Sequence, residues 1–490
     1  MRALGRIWPL PAALVLAVAL VLVRGRPSTD SDAGIFLSVG ARLLEGDRLY
    51  ADVWDNKDPL FYYAYAGALA TGDWRAPFLL DVLWLTLAGA GAALLLRKLG
   101  TTTRVAALGL VSYPLLLTGA YYYAGYSMLP ALGLVPFTGW LWLRRQAVLC
   151  GVVVAVGALL KANLGLVLVS LPVALGLLGL PAGSRRGPFV RAAGGLVGGL
   201  AVGGALLAAL GELRGYLDVL RDNVAYAGDV LAATDRPTGV YGHVWSAAGV
   251  TDYTWAVVAF CLVGLAVAVP ALRRRPGTEA ALGALFLAGA ASTAVTLAAT
   301  AVWDHHAQLL AVPGFLLVAL LATAAERLPR PERTRLGIAF AATVACLAAF
   351  GALSEPPGIA NGASWRASGG SALADALEEA DPAGHASYAV LGRNNELGHA
   401  AFLDGDWRLA CPRFHQYPFS PRLAEVVSCI DRRRPRFVLV AAPIGPDASQ
   451  PRAWNRFVGA ATALLRRSYV RVRLTGGHGA AEVWRLRAAA

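Results

Sequence analysis

The chain has 490 residues, 57% of them hydrophobic and only 15% charged, against about 25% charged in a typical soluble protein. That balance excludes an ordinary soluble enzyme of this size. The formal charge of +13 does not indicate a nucleic-acid surface: all but three of the 44 basic residues are arginines, many in short clusters between apolar blocks, and no basic–aromatic surface stands out.

Taken in chain order, the apolar blocks predict eleven membrane spans, at about 7–23, 77–96, 103–120, 126–143, 147–161, 164–180, 190–210, 254–271, 279–300, 307–323 and 335–353. The first follows "MRALGR" like a signal peptide, but "VLVRGRP" has no small-residue cleavage site, so it reads as an uncleaved helix. The fifth and sixth are short and closely coupled around "KANLG". Loop charge then orients the whole. The basic segments at 97–104, 144–145, 183–191, 273–277 and 326–335 all fall on one side, which the positive-inside rule makes cytoplasmic, with the N-terminus. The first loop (24–76), the 212–252 loop, "WDHH" at 303–306 and the C-terminal region then face outward, across what reads as a bacterial plasma membrane.

Within the first outer loop, "DAGIFLSVGARLLEG" has helical spacing, with Asp32 near its start and Gly46 near its end. "DPLFYYAYAGALA" reads as a second helix lying along the membrane interface, its tyrosines suited to that depth. The 212–252 loop starts as a short amphipathic helix and continues into a Gly-, Asp- and Tyr-rich stretch suited to closing over a substrate. From about 354 the hydropathy falls. "SALADALEEA" is a short helix opened by Ser371, "SYAVLG" and "RFVLVAA" are buried strands, "LAEVVSCIDRRR" is a helix between strands, and "YVRVRL" with "AEVWRL" suggests a closing hairpin. The fold expected is an all-α membrane domain over 1–353, followed by a small extracytoplasmic α/β domain over 354–490.

Cys150, Cys261 and Cys346 fall in apolar blocks and read as inert core residues. Cys411 and Cys429 lie in the polar C-terminal part and are candidates for a disulfide if that part is extracytoplasmic.

The first chemical candidate is "STDSDAGIF". Asp32 reads as a helix cap. Alternatively, Asp30 and Asp32 are two hard-oxygen ligands for a divalent cation, or one of them is a general base. No other cofactor is indicated. Lys161 is the only lysine in the apolar middle: it either snorkels from the end of a span or faces a cavity or a partner.

Residues 45–66, "EGDRLYADVWDNKDPLFYYAYA", supply context for the aspartates. An aspartate near the start of the first outer loop, a helix ending in "LLEG", and then "LY-D-WD-K-PL-YY" resemble the integral-membrane glycosyltransferases of the GT-C superfamily. The nearest likeness is to the family 39 group, which holds protein O-mannosyltransferases and lipid A aminoarabinose transferases. Asp32, with Asp30 as second candidate, matches that family's acidic motif; Lys57, Pro59 and Leu60 match its Lys-Pro-Pro-Leu-type motif. Two positions depart from the pattern: Ala33 stands where the family often has an acid, and Asp58 replaces the first proline. "TAVWDHHAQLLAVPGFLLV" adds His305 and His306 ahead of Pro313, at the place where related enzymes often carry a histidine. The resemblance implies a sugar carried on polyprenyl phosphate and moved to an acceptor hydroxyl on a glycan, lipid or protein. It implies Asp32 as base and Lys57 or a histidine at the leaving phosphate, with Lys161, and Arg221 and Arg236 of the 212–252 loop, as further donor-phosphate candidates; Asn394, Asn395, Asp404 and Asp406 fit turns at least as well as sugar contacts, so the C-terminal domain reads as accessory. The rival reading is a transporter or flippase for a lipid-linked glycan; a scaffold merely anchored by its spans leaves "DNKDPL" unexplained.

Overall fold

The computed structural model describes residues 8–25, 32–119, 124–180, 186–233, 262, 264–273, 277–299, 304–326, 329, 372–392, 407–414, 416, 422–440, 452–474 and 482–488. The apolar runs form helices: α1 (Pro9–Arg24), α2 (Asp32–Leu44), α3 (Pro59–Leu69), α4 (Ala76–Lys98), α5 (Thr103–Gly119), α6 (Leu129–Leu143), α7 (Ala147–Leu160), α8 (Gly165–Leu177), α9 (Arg186–Ala209), α10 (Leu213–Ala233), α11 (Gly264–Arg273), α12 (Thr278–Ala299) and α13 (Ala311–Ala325). Beyond them come α14 (Ala372–Ala380), β1 (Ser387–Leu391), β2 (Arg408–Leu409), α15 (Leu423–Arg433), β3 (Phe437–Val440), α16 (Arg452–Ser468), β4 (Tyr469–Arg471) and β5 (Glu482–Leu486). Local chemistry sets several ends. Proline opens α1 and α3, where a missing N–H costs nothing, and Arg97 and Lys98 close α4 against its negative dipole end.

Four helices among the described residues are long and apolar enough to cross a membrane: Ala76–Lys98, Arg186–Ala209, Thr278–Leu297 and Gln308–Ala325. Six more apolar helices have 10–17 residues, so the expected eleven spans are not reached. The 144–146 turn, with Arg145 left-handed at φ 61°, and the extended Lys161 separate α6, α7 and α8 at the boundaries expected between those spans. The predicted span at 335–353 and much of 254–271 lie outside the described residues.

Chain contacts divide the protein into two compact units, each assembled from three stretches: 1–26, 78–205 and 234–362 in one, and 27–77, 206–233 and 363–490 in the other. The first, helical unit packs α6 against α7 and α8, and α12 against α13 and α8. Backbones approach closely where side chains are small. A Cβ on Gly195 would sit 2.1 Å from the Val148 carbonyl oxygen, and one on Gly151 2.0 Å from that of Ala192. Gly151 and Ala155 on α7 thus face Gly195 and Gly199 on α9, the small-residue spacing by which apolar helices associate without a hydrophobic driving force.

The ends of this unit differ in chemistry. At one end the turns after α4, before α12 and after α13 meet: Thr278 Oγ1 donates to the Leu99 carbonyl (2.9 Å), and Thr102 Oγ1 to Glu326 Oε1 (2.6 Å). Arg97, Lys98 and Arg104 belong to that end. At the other ends of the same helices the Gly125 N–H donates to Asp81 Oδ2 (2.8 Å), and Gln308 Nε2 to the Leu117 carbonyl (3.2 Å).

The second, polar unit contains α2, α3, α10 and the C-terminal α/β fold. Its five-stranded sheet has the order β2-β1-β3-β5-β4, with β2, β1 and β3 parallel and β5 and β4 antiparallel. The expected strands, the helix at 423–433 and the closing pair are all present. Residues 452–468 form a further helix, α16, whose Trp454, Phe457, Ala461 and Leu464 pack into the core with Ile430 of α15. Cys411 and Cys429 are disulfide-bonded, with Cα atoms 5.9 Å apart. Cys150 is a free, buried thiol; Cys261 and Cys346 lie outside the described residues.

Candidate functional site

Asp32 occupies the first turn of α2, where the helix dipole favours a carboxylate, and it is half-buried. One turn on, Phe36 packs edge-on against Phe61 (ring centroids 4.9 Å) and Tyr65 (5.8 Å) of α3. The two helices cross closely because Gly40 has no side chain: a Cβ there would lie 2.9 Å from Leu69 Cδ1. Lys57 enters from the loop between them. Its Nζ lies 5.8 Å from the centroid of the Phe36 ring and donates to Asn56 Oδ1 (2.8 Å). Among the described residues no carboxylate forms an ion pair with it. Residues four apart share a helix face, so the ring under the Lys57 ammonium stands one turn along α2 from Asp32.

The loop that carries Lys57 is held by tyrosines. Tyr62 donates to Asp55, Tyr216 donates to Asp58 Oδ1 (2.9 Å), and Tyr63 donates to Glu212 Oε2 (2.7 Å), whose other oxygen accepts the Leu49 N–H (2.8 Å). All three carboxylates are buried, at 2%, 7% and 2% exposure. A burial of this kind is tolerated only with hydrogen-bond partners, and a neutral phenol supplies one without cancelling the charge. Tyr50, in the left-handed region at φ 65°, donates to the Lys57 carbonyl (2.7 Å) and stacks on Tyr216 (5.7 Å). Gly215 permits this, since a Cβ there would meet Tyr50 Cβ at 2.6 Å. Asn223 of α10 donates to the Asn56 carbonyl (2.8 Å).

These surroundings shift the phenols. Burial, then the neighbouring Asp55, raises the Tyr62 hydroxyl well above its ordinary value, and Asp32 adds to the effect. Burial, then Asp32, pushes Tyr226 of α10 up to about 12. Asp32 therefore belongs electrostatically to the group containing Tyr62 and Tyr226. Burial also raises the Glu212 carboxyl, against the hydrogen bonds from Tyr63 and Leu49 that lower it. Asp55, Asp58 and Glu212 are enclosed, whereas Asp32 and Lys57 retain partial exposure. The arrangement can take a proton at one carboxylate and hold an anion at one ammonium.

The remaining candidates are distributed as follows. Asp30 and Arg236 lie outside the described residues, and the His305 side chain is not described. His306 is buried in the helical unit, in the 3-10 segment Asp304–Leu310. Lys161, also in that unit, is the extended residue between α7 and the 3-10 turn Ala162–Leu164, with its Nζ donating to Ser127 Oγ (3.2 Å). Arg221 is exposed on α10 and pairs with Asp218 (3.3 Å) and Asp222 (3.9 Å). The amphipathic helix expected to be short runs over 21 residues. Among the described residues no group of three or more His, Cys, Asp or Glu side chains is placed to hold a metal ion.

Asp55, Asp58 and Glu212 are the functional surroundings that sequence reasoning missed as a set. Their partners stand as far as 163 residues away, and the local signal was limited to the acidic "VWDNKDP". No protein-family model matches the chain, and no curated protein matches it in sequence.

Proposed function

We propose that the protein is a membrane glycosyltransferase of the GT-C type, moving a sugar from polyprenyl phosphate to an acceptor hydroxyl on a cell-envelope glycan, lipid or protein. The observation that carries the reading is that, in one unit, Asp32 in the first turn of α2 and Lys57 over the Phe36 ring one turn on are both half-buried, while the adjacent carboxylates are enclosed by tyrosines. Asp32 takes the acceptor's proton as the glycosidic bond forms. The bond between the sugar and the phosphate oxygen breaks, and Lys57 stabilises the charge gained by the leaving phosphate. Lys161 and His306 are separate candidates for polyprenyl-phosphate contact in the helical unit; Arg221, already paired with two aspartates, is a weaker one.

The finer membrane arrangement belongs to the same proposal. The six shorter apolar helices cross with the four long ones, and the span expected at 335–353 brings the number to eleven, their basic turns facing the cytoplasm. The Cys411–Cys429 disulfide is suited to an oxidising compartment outside it. One observation favours the alternative, a flippase for a lipid-linked glycan: α7 and α8 have only 14 and 13 residues and are broken at Lys161, as in interrupted transporter helices.

The deciding experiment reconstitutes the purified protein in lipid and offers a panel of polyprenyl-phosphate sugars labelled in the sugar, with and without chelator. Release or transfer of label by the parent and none by a folded Asp32→Asn variant supports the transferase and names its donor. Movement of intact donor between leaflets, without cleavage and equally in both proteins, supports the flippase.

A further inference from the structure

The Cys411–Cys429 disulfide closes a loop that holds the Lys57 segment in two places. In the first, the Trp54 N–H donates to the Pro412 carbonyl (3.0 Å) and the Phe414 N–H donates to the Trp54 carbonyl (3.3 Å), forming a parallel bridge between Trp54 and Arg413. In the second, the Arg422 guanidinium lies over the Trp54 ring, 5.6 Å from its centroid. The same guanidinium is committed elsewhere: its Nε donates to Asp222 Oδ2 (2.9 Å), and its Nη2 is 3.6 Å from Asp218 Oδ2. Arg422 reaches this position from a left-handed backbone at φ 62°, which disfavours a residue bearing a Cβ. Trp54 is 2% exposed, and its indole N–H has no partner among the described residues. The residue is thus held by its backbone and its ring face. Asp55 follows it directly, and Lys57 stands two residues beyond Asp55.

We propose that the disulfide-closed loop is a clasp that positions the Asp55–Lys57 segment, with Arg422 as its positioning residue. Its effect on transfer rests on the glycosyltransferase reading; the clasp itself does not. The disulfide matters because it keeps both attachments, at 412–414 and at 422, within one closed ring of chain and limits the states that ring can visit when an attachment opens. Arg422 is suited to the position because a planar guanidinium can stack on an indole while its edge serves two carboxylates. A lysine ammonium offers only a compact point charge.

The test uses the full-length protein in lipid: the parent, the parent after mild reduction, Arg422→Ala, Arg422→Lys, and the double variant Cys411→Ser with Cys429→Ser. Hydrogen exchange is followed in peptides covering 49–58 and 412–416, and transfer kinetics are measured in parallel. Arg422→Ala and opening of the disulfide are expected to speed exchange at the Trp54 and Phe414 amides by about tenfold or more, leaving α4 and α9 unchanged. Transfer is expected to lose about 10- to 100-fold in kcat, with the donor KM changed less than about threefold. Arg422→Lys is expected to restore neither. Unchanged exchange at Trp54, faster exchange with undiminished kcat, or full recovery in Arg422→Lys would each overturn the proposal. A parent that transfers no sugar removes the glycosyltransferase reading, and the exchange measurements then decide the clasp alone.

Discussion

In the helical unit, α7 and α9 meet through Gly151, Ala155, Gly195 and Gly199, where contact is gained by leaving side chains out. In the polar unit, contact around Lys57 is gained by enclosing carboxylates and giving each a phenol, as in Asp55 with Tyr62, Asp58 with Tyr216 and Glu212 with Tyr63. Surrounded by lipid, apolar burial gives helices little reason to associate, so close packing has to supply it. Beside water, charge can be buried if every oxygen is met. The first arrangement tolerates no added volume. The second tolerates no lost hydrogen bond.

Substitutions that exchange these demands test the contrast. The largest effect is expected from Asp32→Asn, which keeps shape and removes the carboxylate proposed as proton acceptor: the proposed transfer should fall by about 10² to 10⁴, with expression and melting temperature retained. Undiminished turnover would move the base assignment to Asp30. Next, Gly195→Leu drives a side chain at the Val148 carbonyl and should destabilise the helical unit by about 3 kcal/mol, read as thermal unfolding in detergent. A neutral result would mean that α7 and α9 do not pack as described. Tyr62→Phe adds no volume but strips Asp55 of its donor, and a loss of about 1–2 kcal/mol in stability is expected on thermal unfolding.

The smallest effect concerns Glu212. Its carboxyl is raised by burial, so the folded protein holds this proton more tightly than the unfolded chain does. Its contribution is therefore fully present below the ordinary glutamate value of about 4.3 and is lost as pH rises through the raised one. Glu212→Gln should flatten that part of the stability profile, above the ordinary glutamate value, while leaving the rest unchanged. Identical profiles for parent and variant would show that Glu212 ionises as if exposed.

Much of this architecture was legible locally. Asp32 and Gly46, now seen at φ 95°, bracket the first helix of the outer loop, and "DPLFYY" announced the second through its proline. The strands at 387–391 and 437–440 were visible as short β-branched and apolar runs. The α16 helix was equally available, since Trp454, Phe457, Val458, Ala461 and Leu465 recur at helical spacing, but the pattern went unread beside stronger neighbours. The breaks at 144–146 and at Lys161 were legible too, since the expected spans 126–143, 147–161 and 164–180 stop at them just as α6, α7 and α8 do. The tyrosine–carboxylate pairs could not be found by any local rule. Nothing in "VWDNKDP" specifies that Asp58 meets Tyr216, because that pairing is set by how α10 folds back on the loop.

The Trp54 clasp also sets a timetable for biosynthesis. Trp54 leaves the ribosome about 360 residues before Phe414, its hydrogen-bond partner. At about 5–20 residues per second, roughly 20 to 70 seconds separate the two. Throughout that interval the Asp55–Lys57 segment has α10 at most, and no disulfide-closed loop, to settle against. The candidate site is thus completed by the last quarter of the chain, and a nascent molecule acquires its finished geometry only when translation is nearly over.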